Sequence, residues 1–237
     1  RSTWDYQDAP EEFMACLKRI EASSATLENS LATMTWNIDK SYLKDIEAKG
    51  VRIVPTLWFD QFDADGIRNG FDRFAAKECI LKPLVSANAD HTYRLTLADF
   101  ESQLSSLEDV FRHRTFMMQP FINAIVEEGE YSLFYFTSIY SHSILKMPKQ
   151  DDFRVQEEHG GQLALVEPEP ELKALAEQTL KTLPDDPLYA RLDFIRTEQG
   201  FAVMEVELIE PSLYFNMDDK AAQRFADAFV ARFGKGD

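Results

Sequence analysis

The chain has 237 residues, 45% hydrophobic and 12% aromatic, enough for a sizeable core in one or two domains. A formal net charge of −16 argues against a nucleic-acid or anionic-membrane surface, so a phosphate ligand would need local cations and backbone amides to hold it. The two cysteines, Cys16 and Cys79, have neither metal nor disulfide spacing, and no apolar run reaches transmembrane length; the expected setting is reduced and cytoplasmic.

The chain opens with Arg1-Ser-Thr-Trp-Asp-Tyr6, which reads as a strand end running into a turn. No methionine stands there, and an upstream segment is expected to precede it. Asp8 and Pro10 open a helix through Ser23, with Glu11 and Glu12 in its first turn. Asp39 to Lys49 reads as a second helix, stopped by Gly50. Val51–Val54 reads as a short strand before Pro55, and Gly66–Phe74 as a helix leading to a strand over Cys79–Lys82. Leu97, Phe100, Leu104, Leu107 and Phe111 have helical spacing over 97–112, and Phe116–Gln119 reads as a strand. An aromatic β-hairpin is predicted over Glu130–Thr137 and Ser138–Met147, then a helix over Pro170–Leu183. Two strands, Tyr189–Ile195 and Val203–Pro211, precede a closing helix over Asp218–Phe233. Antiparallel hairpins fit this mixed α+β order better than regular βαβ units.

The last two strands carry the strongest chemical signal. Side chains alternate along a strand, so Arg191 and Asp193 share one face, as do Glu205 and Glu207, while Leu192, Val206 and Leu208 point into a core. Carboxylates crowded on one face repel unless a cation sits between them. Oxygen ligands without His or Cys suit Mg²⁺ or Mn²⁺ rather than Zn²⁺. A solvated acidic face is the common alternative; the lysines upstream favour a metal site.

Other positions are weaker taken singly. Lys82 ends a buried strand before the polar loop Ser86-Ala-Asn-Ala-Asp90, a plausible phosphate grip. Arg154 and His159 flank Gly160-Gly161, where a backbone can approach a ligand closely; an ordinary Gly-Gly turn is the commoner case. Met118-Gln-Pro-Phe-Ile122 leaves one lobe for another and can offer backbone groups to a flat heterocycle. No Ser/His/Asp or Cys/His arrangement is apparent, and His91, His113 and His142 read as ordinary polar or partly buried residues.

The order of these pieces is more telling than any one of them. Asp39-Lys40, Leu81-Lys82-Pro83, Gln119-Pro-Phe-Ile122, Gly129-Glu-Tyr-Ser132, Lys146, Arg154 with Gly160-Gly161, Arg191-Leu-Asp193 and Glu205-Val-Glu207 follow one another along the chain. This order resembles the ATP-grasp superfamily, in the branch similar to bacterial glutathione synthetases and the cyclo-ligase of cycloserine biosynthesis. The opening segment and Trp36-Asn-Ile-Asp-Lys40 look like the second group.

The resemblance implies an α+β ATP-grasp fold with two subdomains gripping ATP between them: a central one over 36–118 and a C-terminal one over 119–237. Residues 1–35 would be the remnant of, or linker from, an upstream domain that helps to build the acceptor pocket. Lys40 and Lys82 would contact ATP phosphates. Gln119 and the backbone near Phe121 and Ile122 would hold adenine, with Glu130 on the ribose. Lys146, Arg154 and the Gly160-Gly161 loop would approach the terminal phosphate or the substrate carboxylate, and Arg191 would stabilise the phosphoryl group in transfer. Asp193, Glu205 and Glu207 would carry Mg²⁺, with Glu210 an outer partner.

Two departures from the family pattern stand out. Glu207 occupies a position where Asn is frequent, and the added charge binds metal at least as strongly. The Ser86–Asp90 loop lacks the glycines usual in the phosphate-covering flap. The implied activity is ATP-dependent ligation: a carboxylate becomes an acyl phosphate, and an amine-type nucleophile displaces phosphate. The partners would be small-molecule carboxylates and amines, and dimers are frequent among such proteins. A nucleotide-binding or interaction protein that keeps the fold without chemistry is the alternative. A metal-dependent hydrolase leaves Lys40, Lys82 and Arg191 without a role.

Overall fold

Pro10 supplies a φ suited to a first helical turn, Glu11 and Glu12 face the positive end of the helix, and Lys18 and Arg19 lie at its other end. They frame α1 (Pro10–Glu21), which buries Leu17. The computed structural model describes residues 3, 5–150, 152–155, 157 and 160–234. After α1 come α2 (Leu31–Asn37), α3 (Tyr42–Ala48), β1 (Leu57–Phe59), α4 (Ala64–Phe74), β2 (Glu78–Pro83), β3 (Tyr93–Thr96), α5 (Leu97–Ser102), α6 (Leu104–Phe111) and β4 (Phe116–Pro120). The remainder holds α7 (Ala124–Glu127), β5 (Glu130–Phe136), β6 (Ile139–Met147), β7 (Gln162–Leu165), α8 (Pro170–Leu180), β8 (Tyr189–Thr197), β9 (Gly200–Glu207) and α9 (Ala221–Phe233).

The chain forms two compact units, one of residues 53–123 and one of residues 1–52 with 124–237. The smaller unit is a four-stranded antiparallel sheet in the order β1-β4-β2-β3. Cys79, Leu81, Phe116 and Met118 meet Ile67, Phe71, Phe100, Leu107 and Phe111 of its helices in one core. Alternation places Lys82 and Gln119 on the sheet's other face, opposite Met117 and Ile80. The helix predicted over 97–112 is broken at Gln103 into α5 and α6. A capping box between Thr96 and Asp99 starts α5.

The larger unit is a five-stranded antiparallel sheet in the order β7-β6-β5-β8-β9. Its β5–β6 hairpin turns at Thr137 and Ser138, with φ of 47° and 60°, the backbone that a two-residue hairpin loop requires. On one face Phe134, Phe136 and Ile144 pack with Leu213 and with Ala228 of α9. This covers one end of that face and leaves the other to polar residues.

Strand β9 is an edge, and segments before residue 53 satisfy its outer backbone groups. Asn37 Nδ2 donates to Val206 O at 2.8 Å, and its Oδ1 accepts from Leu208 N at 2.9 Å. Tyr42 Oη accepts from Val206 N at 2.9 Å, and Arg52 O from Val203 N at 3.0 Å. Asn29 Nδ2 donates to Leu208 O at 2.8 Å. Residues 36–52, expected with the central subdomain, therefore pack in the larger unit, whereas 119–123 lie in the smaller one. The strand expected over Val51–Val54 is a single bridging residue, Ile53, and β1 lies further on. The apolar run there signals burial of Val51, Ile53 and Val54 rather than extended pairing.

Candidate active site

Register builds the site. Arg191 pairs with Glu207 and Asp193 with Glu205 across β8 and β9, while Ser132 pairs with Asp193 and Glu130 with Lys146 on the neighbouring strands. Paired residues project to the same side, so these side chains share one sheet face. The alternation read from the sequence for residues 191–207 is what the structure contains. A register shift follows Asp193, so the pairing beyond it is offset from the pairing at the site.

Each acidic group meets a cation. Arg191 Nε lies 3.1 Å from both Asp193 oxygens, its Nη2 lies 3.0 Å from Asp193 Oδ2, and the same Nη2 also donates to Glu207 Oε1. Lys146 Nζ lies 2.8 Å from Glu130 Oε1 and 3.5 Å from Asp193 Oδ1. Ser132 Oγ donates to Asp193 Oδ1. Lys40 Nζ stands 3.1 Å from Glu205 Oε1. Among the described residues, no three Asp, Glu, His or Cys side chains converge as a ready-made metal cage; Arg191 and Lys40 stand between the carboxylates.

The electrostatics follow from burial and from these pairs. Burial pushes the Asp193 carboxyl up, but Arg191, Lys146 and the Ser132 hydroxyl outweigh it and hold it below the usual range. Burial raises Glu130 despite Lys146. Lys146 is pulled down by burial and Arg191, yet Asp193 and Glu130 leave it raised. Glu207 is pushed up to about 8 by burial against Arg191, with Glu205 and Asp193 adding repulsion. Glu210 is pushed up to about 7 by burial against Lys40, again with Glu205 opposing its charge. Burial pushes the Tyr6 hydroxyl well above its usual range, and the charges of Glu210, Glu205 and Glu207 push it the same way.

The other sequence-predicted residues fall elsewhere. Lys40 belongs with the carboxylates of the larger unit rather than with a central subdomain. Lys82, Gln119, Phe121 and Ile122 belong to the smaller unit. Gln119 Nε2 donates to Thr56 Oγ1 at 3.0 Å, and Phe121 N donates to Glu78 O at 2.9 Å. The Phe121 N–H is therefore engaged within the unit. Its ring lies under Arg94, 3.6 Å from the guanidinium carbon, and Arg94 grips Glu78 at 2.9 and 2.7 Å. In the glycine-free loop, Asn88, Ala89 and His91 all take positive φ, so the turns usual for glycine are made without it.

Arg154 is not gathered into the charged face by any of its hydrogen bonds. It folds back on Asp152 at 3.1 and 2.9 Å. Gly160 has φ of 85° and donates to Glu157 O at 2.8 Å, and Gly161 follows before β7; His159 lies outside the described residues. Sequence reasoning quoted Ser132 at the end of the Gly129–Ser132 motif but gave it no role, although it stands two residues after Glu130 and so on the same face. It also passed over Tyr214, whose hydroxyl feels the charges of Lys146 and Arg191 and for which no periodic signal exists.

No family model matches the chain. It is 28% identical over 257 residues to a cycloserine biosynthesis protein of Streptomyces lavendulae, with 98% of this chain and 81% of that protein aligned. Among solved structures it matches D-cycloserine synthetase with a TM-score of 0.86 at 27% identity, covering 98% of this chain and 82% of that one. It also matches an ATP-grasp ligase complexed with a phosphomimetic variant of a minimal precursor, Mg and ADP. That TM-score is 0.67 at 17% identity, covering 96% of this chain and 72% of the ligase.

Proposed function

We propose, from the premise that this chain is an ATP-grasp ligase, that it joins a carboxylate to an amine-type nucleophile through an acyl phosphate. The observation that carries the reading is the single sheet face on which Lys146, Arg191, Asp193, Glu205 and Glu207 lie in register.

The donor set fits a hard divalent cation. Five carboxylates (Glu130, Asp193, Glu205, Glu207 and Glu210) stand with three cations (Lys40, Lys146 and Arg191), and Glu207 is left pushed up to about 8. This anionic excess on oxygen atoms is what Mg²⁺ or Mn²⁺ relieves, and Asp193, Glu205 and Glu207 would hold it. When bound, the ion neutralises phosphate charge and orients the triphosphate for in-line transfer.

The chain's own side chains do the rest. Arg191 supplies fixed positive charge where the transferred phosphoryl group becomes more anionic, and Lys146 supplies a second cation two strands away, across β5. Ser132 and Lys146 fix the Asp193 rotamer through its Oδ1. Lys82, Gln119 and the backbone at Ile122 are assigned to the nucleotide on the family resemblance. Arg154 stays assigned to the substrate carboxylate on the same ground, and reaching it requires release from Asp152.

Asp193→Ala and Glu205→Ala test the reading. Wild-type protein is expected to gain thermal stability with Mg-ATP and to release ADP when offered carboxylates and amines. Both variants should lose ADP release by more than about 100-fold while remaining folded. Normal turnover in either variant removes the metal assignment. Stabilisation by Mg-ATP without ADP release on any substrate identifies a nucleotide-binding protein instead.

A further inference from the structure

Where the apolar and polar ends of the larger sheet's face meet stands Tyr214, with one flank on each. Phe134 is the register partner of both Arg191 and His142, so all three project to the face that carries Lys146 and Asp193. The Tyr214 ring meets the Phe134 ring edge-on, with 6.2 Å between centroids at 71°. It borders the apolar cluster of Phe134, Phe136 and Ile144. Its hydroxyl feels the charges of Lys146, Arg191, Glu157 and Asp193.

Tyr214 is held there against a backbone cost. Its φ is 45°, a left-handed conformation that a bulky side chain seldom adopts without a constraint. Both neighbours supply one. Leu213 is buried in the apolar cluster, and its carbonyl oxygen accepts from His142 Nε2 at 3.1 Å. That bond fixes the tautomer, so His142 Nδ1 accepts from Ser141 Oγ at 3.0 Å. The His142 ring is stacked on Phe134, with 4.3 Å between centroids. On the other side Phe215 packs against Phe136 and Phe225, and Met217 N donates to Tyr214 O at 2.9 Å.

The fold does not consume the hydroxyl. Among the described residues it has no hydrogen-bond partner, and the residue is half-buried rather than sealed in the core. Burial raises the phenol above its usual range, and Lys146 and Arg191 oppose this without overcoming it. The group therefore keeps its proton at neutral pH. A protonated phenol near two cations offers a further donor to anionic oxygen.

We infer that Tyr214 is a catalytic residue of the proposed ligase: its hydroxyl donates a hydrogen bond to a non-bridging oxygen of the phosphoryl group in transfer. The carboxylate oxygen bonds to the γ-phosphorus while the bond from that phosphorus to the ADP oxygen breaks, and the phenol keeps its proton throughout. Anchored backbone on both sides makes the donor preorganised for the charge that develops on those oxygens. The assignment rests on the ligase reading.

The test is Tyr214→Phe, which removes the hydroxyl and keeps the ring on Phe134. ADP release is measured with Mg-ATP and a panel of D- and L-amino acids, which carry both carboxylate and amine. The variant's kcat is expected to fall about 100-fold, the scale of one oxyanion donor, while the KM for ATP and the affinity for Mg-ADP move less than about 2-fold. Its melting temperature should stay within about 2 °C of the parent, because no contact within the fold is lost. An unchanged kcat overturns the inference and leaves the ligase reading standing. A matching loss of Mg-ADP affinity also overturns it, by placing the hydroxyl on the bound nucleotide rather than on the group in transfer. A larger fall in melting temperature overturns it too, by giving the hydroxyl a structural role. Wild-type protein that releases no ADP with any member of the panel overturns the ligase reading and the inference with it.

Discussion

Glu130 and Lys146 face each other across β5 and β6 as register partners, and their side chains meet at 2.8 Å with both residues more than nine-tenths buried. Asp193 stands 3.5 Å from the same ammonium. Lys146→Met therefore removes the cation between two buried carboxylates, and the expected loss is about 3–5 kcal/mol. Glu130→Gln should cost less, because Lys146 keeps Asp193 as a partner. Urea unfolding of the two variants checks the order, and a Lys146→Met protein as stable as the parent contradicts the pairing.

Glu207 and Glu210 give the stability a definite pH dependence. Folding raises their carboxyls from 4.5 to about 8 and about 7. A group raised on folding stabilises the fold while protonated, so its contribution is full below 4.5 and is lost as pH rises through about 7 to 8. Asp193 and Asp152 are held low, and their contributions are lost instead as pH falls below the ordinary carboxylate range. Without nucleotide or metal, the melting temperature should fall from mildly acidic to mildly alkaline pH. Stabilisation by Mg-ATP should grow over the same range, since the ion needs ionised carboxylates. Melting curves in matched buffers decide it; a metal-free melting temperature that rises with pH is the contrary result.

Asn37 covers the β9 edge with a donor and an acceptor on one side chain, bonded to Val206 O and Leu208 N. Asn37→Ala leaves both buried groups unmet, at about 2–4 kcal/mol for the two. Asn37→Asp keeps the acceptor but turns a carboxylate toward the Val206 carbonyl, and should be at least as costly. Denaturant midpoints should drop with unchanged m-values; a neutral Asn37→Ala would show that water replaces the amide.

Gly129 precedes Glu130 with φ of 106°, and an added Cβ would come within 2.7 Å of the Lys146 carbonyl oxygen. Gly129→Ala therefore strains the backbone where β5 meets β6. A destabilisation of about 1–3 kcal/mol is expected, along with weaker Mg-ATP stabilisation because the Glu130–Lys146 pair shifts. Calorimetry with and without nucleotide measures both effects, and an unaltered protein would argue that the hairpin end yields freely.

The legible parts of the molecule were those set by local rules. Arg191, Asp193, Glu205 and Glu207 could be placed on one face because strand alternation is a property of neighbouring residues. The same rule extends to Ser132, two residues beyond Glu130. Lys40 shows where the rule stops: its partner Glu205 lies far along the chain, and only the tertiary fold brings them together. Short elements were missed for a related reason. β3 and β7 have four residues each, too few to display a period, and in the seven residues of α2 the helix formers Leu31, Ala32 and Met34 alternate or give way to the weaker Thr33, Thr35, Trp36 and Asn37. Its signal was the N-cap, Ser30, whose hydroxyl accepts from Thr33 N at 3.1 Å.

Arg191 already occupies oxygen atoms of Asp193 and Glu207, so it acts as a built-in counter-ion. If Asp193 and Glu207 hold a divalent ion as proposed, loading the site would be an exchange of partners. A free ion would have to displace the guanidinium from both carboxylates without offering it another anion, whereas a triphosphate would bring one. Titration calorimetry with magnesium chloride should accordingly give little heat until ATP is present, and the protein would take up metal and nucleotide as a couple.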